Sequence, residues 1–180
     1  VGMVMALPPS FDQLTWFGRG PHENYIDRNV SAFVGLYTGK ADEQMFPYVR
    51  PQENGNKTGV RWAALTNAAG TGWLAVSADP AKGFEMTAMP WLSDDFDART
   101  GADYGPIEKE QKHPTDVNRR DFVRWNIDLG QRGVGGVNSW GALPLEKYRY
   151  PTGKTYEYAF TLLPVEEATP EKLVDLSKKY

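Results

Sequence analysis

The chain has 180 residues, enough for one domain with a substantial core. Its net charge of −3 argues against a nucleic-acid partner, which needs a basic surface, and no apolar run approaches the ~20 residues that span a bilayer. Because cysteine is absent, disulfides, thiol nucleophiles and thiolate metal sites are excluded, and the compartment, cytoplasmic or periplasmic, stays open. The 6 Trp, 9 Tyr and 8 Phe, with 18 Gly and 13 Pro, indicate an all-β protein with many turns and are compatible with a carbohydrate-facing surface.

Short strands separated by turn residues are predicted along most of the chain. We predict strands at residues 1–7, 14–17, 31–37, 58–66, 73–78, 84–89, 122–129 and 155–165. The first is apolar almost throughout, as in a strand buried on both faces, whereas residues 84–89 alternate, as in a half-buried strand. Residues 67–72 have the composition of a hairpin loop. Since the chain opens in a strand without an initiator Met, we expect it to be cut from a larger protein.

Two segments depart from this strand pattern. Residues 91–121 are polar and rich in charge, which predicts a long surface excursion with one or two short helical turns. Near the end, Thr169, Pro170 and Glu171 form a helix start, with an N-cap, a proline at the first position and an acidic residue against the dipole. We therefore divide the chain into a β-sandwich domain at 1–166 and a helical tail at 167–180.

A glycine-rich loop at residues 133–141 is the most unusual stretch of the chain. Glycines tolerate positive φ and allow close backbone approach. Trp140 follows Asn138 and Ser139, whose side chains can hydrogen-bond in a turn. The pattern permits two interpretations: a tight loop around a core Trp, or an irregular loop that presents one Trp to the flat face of a sugar.

Motifs for nucleophilic catalysis and for metal binding are not recognisable. His22 and His113 have no positioned serine, so we expect both to be solvated or hydrogen-bonded. The acidic run at 94–97 fails as a calcium loop, because Arg99 and Thr100 stand where an oxygen ligand and a glycine are required. The residues therefore predict no metal site.

Paired carboxylates could in principle hydrolyse a glycosidic bond. Glu23, Glu53 and Asp128 lie near aromatic segments, but nothing in the sequence brings two of them into one cleft. Glu23 and Glu53 could equally cap backbone groups or pair with arginines such as Arg19 and Arg28. No catalytic pair is therefore assigned.

Four motifs, taken together, point to a known family. They are WFGRGPHENYIDR at 16–28, PQENG at 51–55, WNID at 125–128 and VGGVNSW at 134–140. In this order they resemble the C-terminal, small-chain region (the fifth domain) of family 2 glycoside hydrolases of the bacterial β-galactosidase type. The resemblance covers the chain from about residue 1 to residue 165 and leaves the trailing helix outside.

The resemblance implies an antiparallel β-supersandwich of the galactose-mutarotase-like type, of which this chain would be the later part, with a short C-terminal helix. The missing strands would leave an open sheet edge that something must cover. In the family the catalytic glutamates lie on a separate barrel. The resemblance thus implies no catalytic residue and no cofactor in this segment, whereas family enzymes often use Mg and Na in the catalytic domain.

The resemblance also implies a role for the glycine-rich loop. Trp140 matches a family Trp that packs on the sugar, and Asn138 and Ser139 are the other implied substrate contacts, although close relatives often carry acidic residues at Val137 and Asn138. The implied function is the C-terminal domain of a retaining β-galactosidase acting on terminal β-D-galactosides, inactive alone. Implied partners are a β-galactoside and the remaining domains of the enzyme, with a homo-oligomer allowed and no nucleic acid or membrane.

Two other functions remain open from the residues. The aromatic content permits a free-standing carbohydrate-binding module. An aldose epimerase of similar fold, using His113 and a glutamate, is the third interpretation.

Overall fold

The computed structural model describes residues 1–96, 113–136, 138 and 141–180, and within them it contains nine strands and one α-helix. The strands are β1 (Gly2–Leu7), β2 (Gln13–Gly20), β3 (Phe33–Lys40), β4 (Lys57–Val60), β5 (Trp62–Thr66), β6 (Gly72–Ser77), β7 (Phe84–Met89), β8 (Val123–Asp128) and β9 (Phe160–Val165). The helix α1 spans Pro170–Ser177. No helix in these ranges is long and apolar enough to cross a bilayer.

The strands form two antiparallel sheets, as the all-β prediction requires. One has four strands in the order β1-β8-β7-β4, and the other has five in the order β3-β2-β5-β6-β9. Inward-facing side chains of both sheets, such as Trp16, Leu65, Met86 and Trp125, are fully buried between them. Because successive strand residues point to opposite faces, each sheet also presents an outer face. The outer face of the four-stranded sheet carries the polar groups discussed below.

Two strand-burial predictions are wrong. β1 is an edge strand with one face on the core: Met3 and Met5 pack inward, whereas Val4 is 60% exposed. β7, predicted to be half-buried, is buried on both faces, because it is a central strand whose outward Glu85 is covered by the segments that contain Asn56 and Gln131. Burial depends on the position of a strand in the sheet, which its own residues do not encode.

The predicted strand at residues 58–66 is two strands in different sheets. β4 ends at Val60 and β5 begins at Trp62, and Arg61 carries the chain from one sheet to the other. Arg61 N–H donates to the Phe17 carbonyl at 2.8 Å. Gly59 adopts a φ of +59°, which bends the backbone just before the crossing.

The locally encoded elements agree with prediction. β5 and β6 form the predicted hairpin, and Asn67 Oδ1 accepts the N–H groups of Ala69 and Thr71 at 3.0 Å within its loop. Thr169 caps α1 by accepting the Lys172 N–H at 3.3 Å, and α1 packs against the five-stranded sheet.

The last strand and the polar segment at 91–121 agree only in part with the predictions made from the sequence. β9 covers only the second half of the predicted strand at 155–165. The described parts of the 91–121 excursion contain two short 3₁₀ helices, Ser93–Phe96 and Pro114–Asp116, while residues 97–112 lie outside the described residues.

Candidate functional site

The glycine-rich loop is anchored by Asp27, which lies in the turn after β2. Its carboxylate accepts the N–H of Val134 at 3.2 Å and that of Gly135 at 2.9 Å. A Cβ atom at position 133 would lie 2.5 Å from Asp27 Oδ2, so Gly133 is required for this approach. Asp27 therefore fixes the first half of the loop against the turn at the end of the WFGRGPHENYIDR motif.

The start of the loop is held by two further contacts. Gln131 N–H donates to Glu85 Oε2 on β7 at 3.0 Å, and Gly133 N–H donates to the Tyr148 carbonyl at 2.8 Å. On the far side of the loop, Arg149 Nε donates to the Pro144 carbonyl at 2.5 Å. The loop is thus held at its start, and the segment that follows it is closed by a hydrogen bond of its own.

Glu23 is used structurally. Its Oε2 accepts the Gly55 N–H at 2.7 Å, and its Oε1 accepts Arg28 Nη2 at 2.6 Å and the Tyr48 hydroxyl. This confirms the interpretation of Glu23 as a capping residue that pairs with Arg28. The hydrogen bond from Gly55 to Glu23 joins the WFGRGPHENYIDR motif to the PQENG motif.

Two buried asparagines extend this connection to the base of the loop. Asn24 Oδ1 accepts both the backbone N–H and the hydroxyl of Thr58, at 2.9 and 2.6 Å. Asn56 Nδ2 donates to the Asn24 carbonyl at 3.1 Å and to Glu85 Oε2 at 2.9 Å. Three of the four motifs are therefore joined, directly or through Asn56 and Glu85, in one hydrogen-bonded network beneath the loop.

Burial changes the titration of two groups in this network. Desolvation raises the pKa of Glu85 to about 7, although the hydrogen bonds from Asn56 and Gln131 oppose the shift. Desolvation lowers the pKa of Lys57 to about 8, against the attraction of Glu23. The Lys57 ammonium lies 5.5 Å from the centroid of the Trp16 ring and donates to the Gly55 carbonyl at 3.2 Å.

A cavity of about 560 Å³ lies beside the loop. It is lined by Gln52, Glu53, Ser93, Asp94, Gln131, Arg132, Gly133, Val134, Gly141, Ala142, Leu143 and Pro144. Burial raises the pKa of Glu53, while a hydrogen bond with Gln131 and the charge of Arg124 lower it. The volume is in the range of small-molecule sites, and the mixed polar lining suits a hydroxylated ligand.

The predicted site residues are only partly described. Asn138 is exposed, and its Oδ1 accepts the Ala142 N–H at 3.3 Å, as expected for a turn. Trp140 and Ser139 lie outside the described residues, so their roles, like the sugar contact of Asn138, stay predictions.

The two histidines are exposed, as expected. His22 Nε2 lies 3.4 Å from Ser31 Oγ, and the backbone N–H of His113 donates to Asp116 Oδ2 at 2.9 Å. Across the ranges that the structure describes, no three His, Asp or Glu side chains are grouped as a metal site would require.

Sequence reasoning missed Asp27 and Glu85 as loop anchors. Asp27 stands inside the WFGRGPHENYIDR motif, and the excess of glycine from Gly133 onward signals a close backbone approach. Neither signal says which carboxylate approaches, because the partners lie far apart in the sequence.

Comparison with known proteins places the chain in a family. The family profile described as "Beta galactosidase small chain" matches residues 1–162. The chain belongs to the β-galactosidase small-chain family. The resemblance carried by the four motifs is thereby confirmed.

Relatives of this small-chain family member are longer proteins named β-galactosidase. That of Priestia megaterium is 39% identical over 166 residues, which is 92% of this chain and 14% of the relative. That of Vibrio cholerae is 33% identical over 171 residues, or 95% of this chain and 14% of the relative. That of Halalkalibacterium halodurans is 32% identical over 157 residues, or 87% and 14%. This chain therefore spans about 14% of the length of these relatives.

Proposed function

We propose that this domain serves a retaining β-galactosidase that hydrolyses terminal β-D-galactosides, and that it contributes a sugar-contacting loop rather than the catalytic carboxylates. The observation that carries the proposal is the anchoring of the glycine-rich loop by Asp27 beside a polar cavity. The names of the longer relatives support the substrate class.

The hydrogen bonding of two acidic residues favours a non-catalytic role. Retaining glycosidases use two carboxyl groups about 5 Å apart that face the glycosidic bond. Glu23 is engaged by Gly55 and Arg28, and Glu85 by Asn56 and Gln131. We place the catalytic pair, and any Mg or Na ion, in the remaining part of a longer polypeptide. The domain alone is then inactive.

The proposed partners follow from the same assignment. They are a β-galactoside at the loop and the other domains of the same polypeptide, with a homo-oligomer as a further level of assembly. The fold assigned to the whole domain is the galactose-mutarotase-like supersandwich, which the two antiparallel sheets support in outline.

The test is Trp140→Ala in the full-length protein, with Trp140→Phe as the conservative variant. Covering about 100 Å² of an indole face stabilises a complex by at most ~2.5 kcal/mol, far less than glycosidic cleavage requires. The Michaelis constant for a β-galactoside should therefore rise by up to about 60-fold, with Phe in between and little change in thermal stability. Phe33→Ala, at an aromatic that is 77% exposed on β3, is the control. An unchanged Michaelis constant for Trp140→Ala would contradict the role of the loop.

Two assays on the 180-residue chain separate the alternative functions. A free-standing module would bind galactosides by itself, with a response in Trp fluorescence. An epimerase would accelerate galactose mutarotation and lose that activity in His113→Ala. We expect neither result from a domain that only completes a site.

A further inference from the structure

The outer face of the four-stranded sheet holds a second polar cavity, of about 310 Å³. Arg124, Asn126 and Asp128 of β8 alternate with core residues and therefore share this face. Asn126 stands opposite Thr87 of β7 and Val4 of β1 in the strand register. All five of these residues line the cavity.

Two buried polar atoms of the lining residues have no partner in the described part of the chain. Arg124 is only 5% exposed, and its Nη1 donates to Ser93 Oγ at 2.6 Å, but its Nε–H has no acceptor. Asn126 Oδ1, two positions along the same face, has no donor. Buried polar groups are rarely left unpaired because doing so is unfavourable. The outer face of β8 therefore carries one unused donor and one unused acceptor, both covered in the present arrangement.

The charges around the cavity narrow the ligand class. Asp128 and Glu53 supply carboxylates, and Arg124 and the Val1 amino group supply the opposing positive charges. Burial raises the pKa of both carboxyl groups, and the shift is opposed at Asp128 by the Val1 amino group and at both groups by Arg124. An anionic ligand would be repelled by the two carboxylates, and a cationic ligand would be repelled by Arg124. The hydroxyl groups of a neutral sugar, each a donor and an acceptor, match the mixed lining.

The second cavity adjoins the one beside the glycine-rich loop. Glu53, Ser93 and Gln131 line both, so a polar surface leads from the loop across the face of β8. We propose that Arg124, Asn126 and Asp128 form a second carbohydrate subsite, which holds a further sugar ring of an oligosaccharide whose first ring lies at the loop. The proposal rests on the proposed function for the sugar at the loop.

The experiment uses Asn126→Ala in the full-length protein. We would measure kcat/KM for an aryl β-galactoside, for lactose and for a galactosyl-lactose trisaccharide. The variant should lose about tenfold in kcat/KM for the trisaccharide and several-fold less for the aryl galactoside. Asn67→Ala, at an asparagine in the β5–β6 hairpin loop, is the control and should treat all three substrates alike. Thr87→Val, which removes one lining hydroxyl with little change of shape, serves if Asn126→Ala does not fold.

The outcomes separate the two proposals. An equal loss for all three substrates, or no loss for any, would overturn the second subsite while leaving the loop function intact. If the wild-type protein cleaves no galactoside, the proposed function fails, and calorimetric titration with the trisaccharide then tests the subsite directly. Weaker trisaccharide binding by Asn126→Ala in that titration supports the subsite, and unchanged or absent binding overturns it.

Discussion

Removing the Asp27 carboxylate should loosen the glycine-rich loop without unfolding the sandwich. In Asp27→Ala the N–H groups of Val134 and Gly135 lose their acceptor. A hydrogen bond to a charged group contributes about 1.5–3 kcal/mol, but Asp27 is half-buried and one bond is long, so we take about 1 kcal/mol for each. The ordered loop then loses about 2 kcal/mol, which lowers its population relative to open forms by about 30-fold.

The assay is the Michaelis constant of the full-length protein for a β-galactoside, measured beside thermal unfolding. Asp27→Ala should raise the Michaelis constant by up to about 30-fold, and Asp27→Asn, which keeps one acceptor oxygen, should fall in between. Asp79→Ala is a matched control, because Asp79 Oδ1 accepts the N–H groups of Ala81 and Lys82 at 3.1 and 3.3 Å in the β6–β7 turn. Equal Michaelis constants for Asp27→Ala and Asp79→Ala would refute the anchoring argument.

Two further predictions concern stability. The pKa of Glu85 is raised from 4.5 to about 7 in the folded state, so the folded chain binds this proton more tightly than the unfolded chain does. The Glu85 carboxyl therefore lowers the free energy of unfolding progressively as pH rises from about 4.5 to 7, by about 3 kcal/mol in total. In urea unfolding, the free energy of unfolding of Glu85→Gln relative to wild type should be higher at pH 8 than at pH 4.5 by about 3 kcal/mol. If the free-energy difference between the two proteins does not vary with pH, the pKa shift of Glu85 is contradicted. Thr169→Ala removes the cap of α1 and should lower the stability of the helix by about 1 kcal/mol. Amide hydrogen exchange in α1 should then be faster than in the control Thr152→Ala, which changes an exposed turn residue. Equal exchange in the two variants would show that the cap contributes nothing.

The parts of the fold that could be predicted are those specified by neighbours in the chain. The cap of α1 needs only Thr169 and Pro170, and the β5–β6 hairpin needs only the turn around Asn67. The break at Arg61 could not be predicted, because the apolar pattern runs on from Val60 to Trp62 while the crossing depends on the distant Phe17. For the same reason the apolar pattern of β1 wrongly predicted burial on both faces, because a strand does not encode whether it lies at the edge of a sheet.

The candidate site divides in the same way. The glycine-rich loop stands out in the sequence because its backbone requires glycine at two positions. Gly133 lies too close to Asp27 for a side chain, and Gly135 has a φ of +84°. Asp27 and Glu85 could not be assigned as anchors, since each contact joins distant parts of the chain. Arg124 and Asn126 look like ordinary outward residues of an alternating strand, and only the covered outer face of the sheet makes them candidates for binding.

The long reach of the Asp27 contact has a consequence for the order of folding. Asp27 and the loop amides that it binds are 107 and 108 residues apart, and contacts of such high separation carry a large entropic cost until the intervening chain is organised. Val134 and Gly135 are therefore expected to reach Asp27 late, after β2 and β8 have been brought into the same sandwich. In a newly made chain, the hydrogen bonds from Val134 and Gly135 to Asp27 would report that the two sheets have come together.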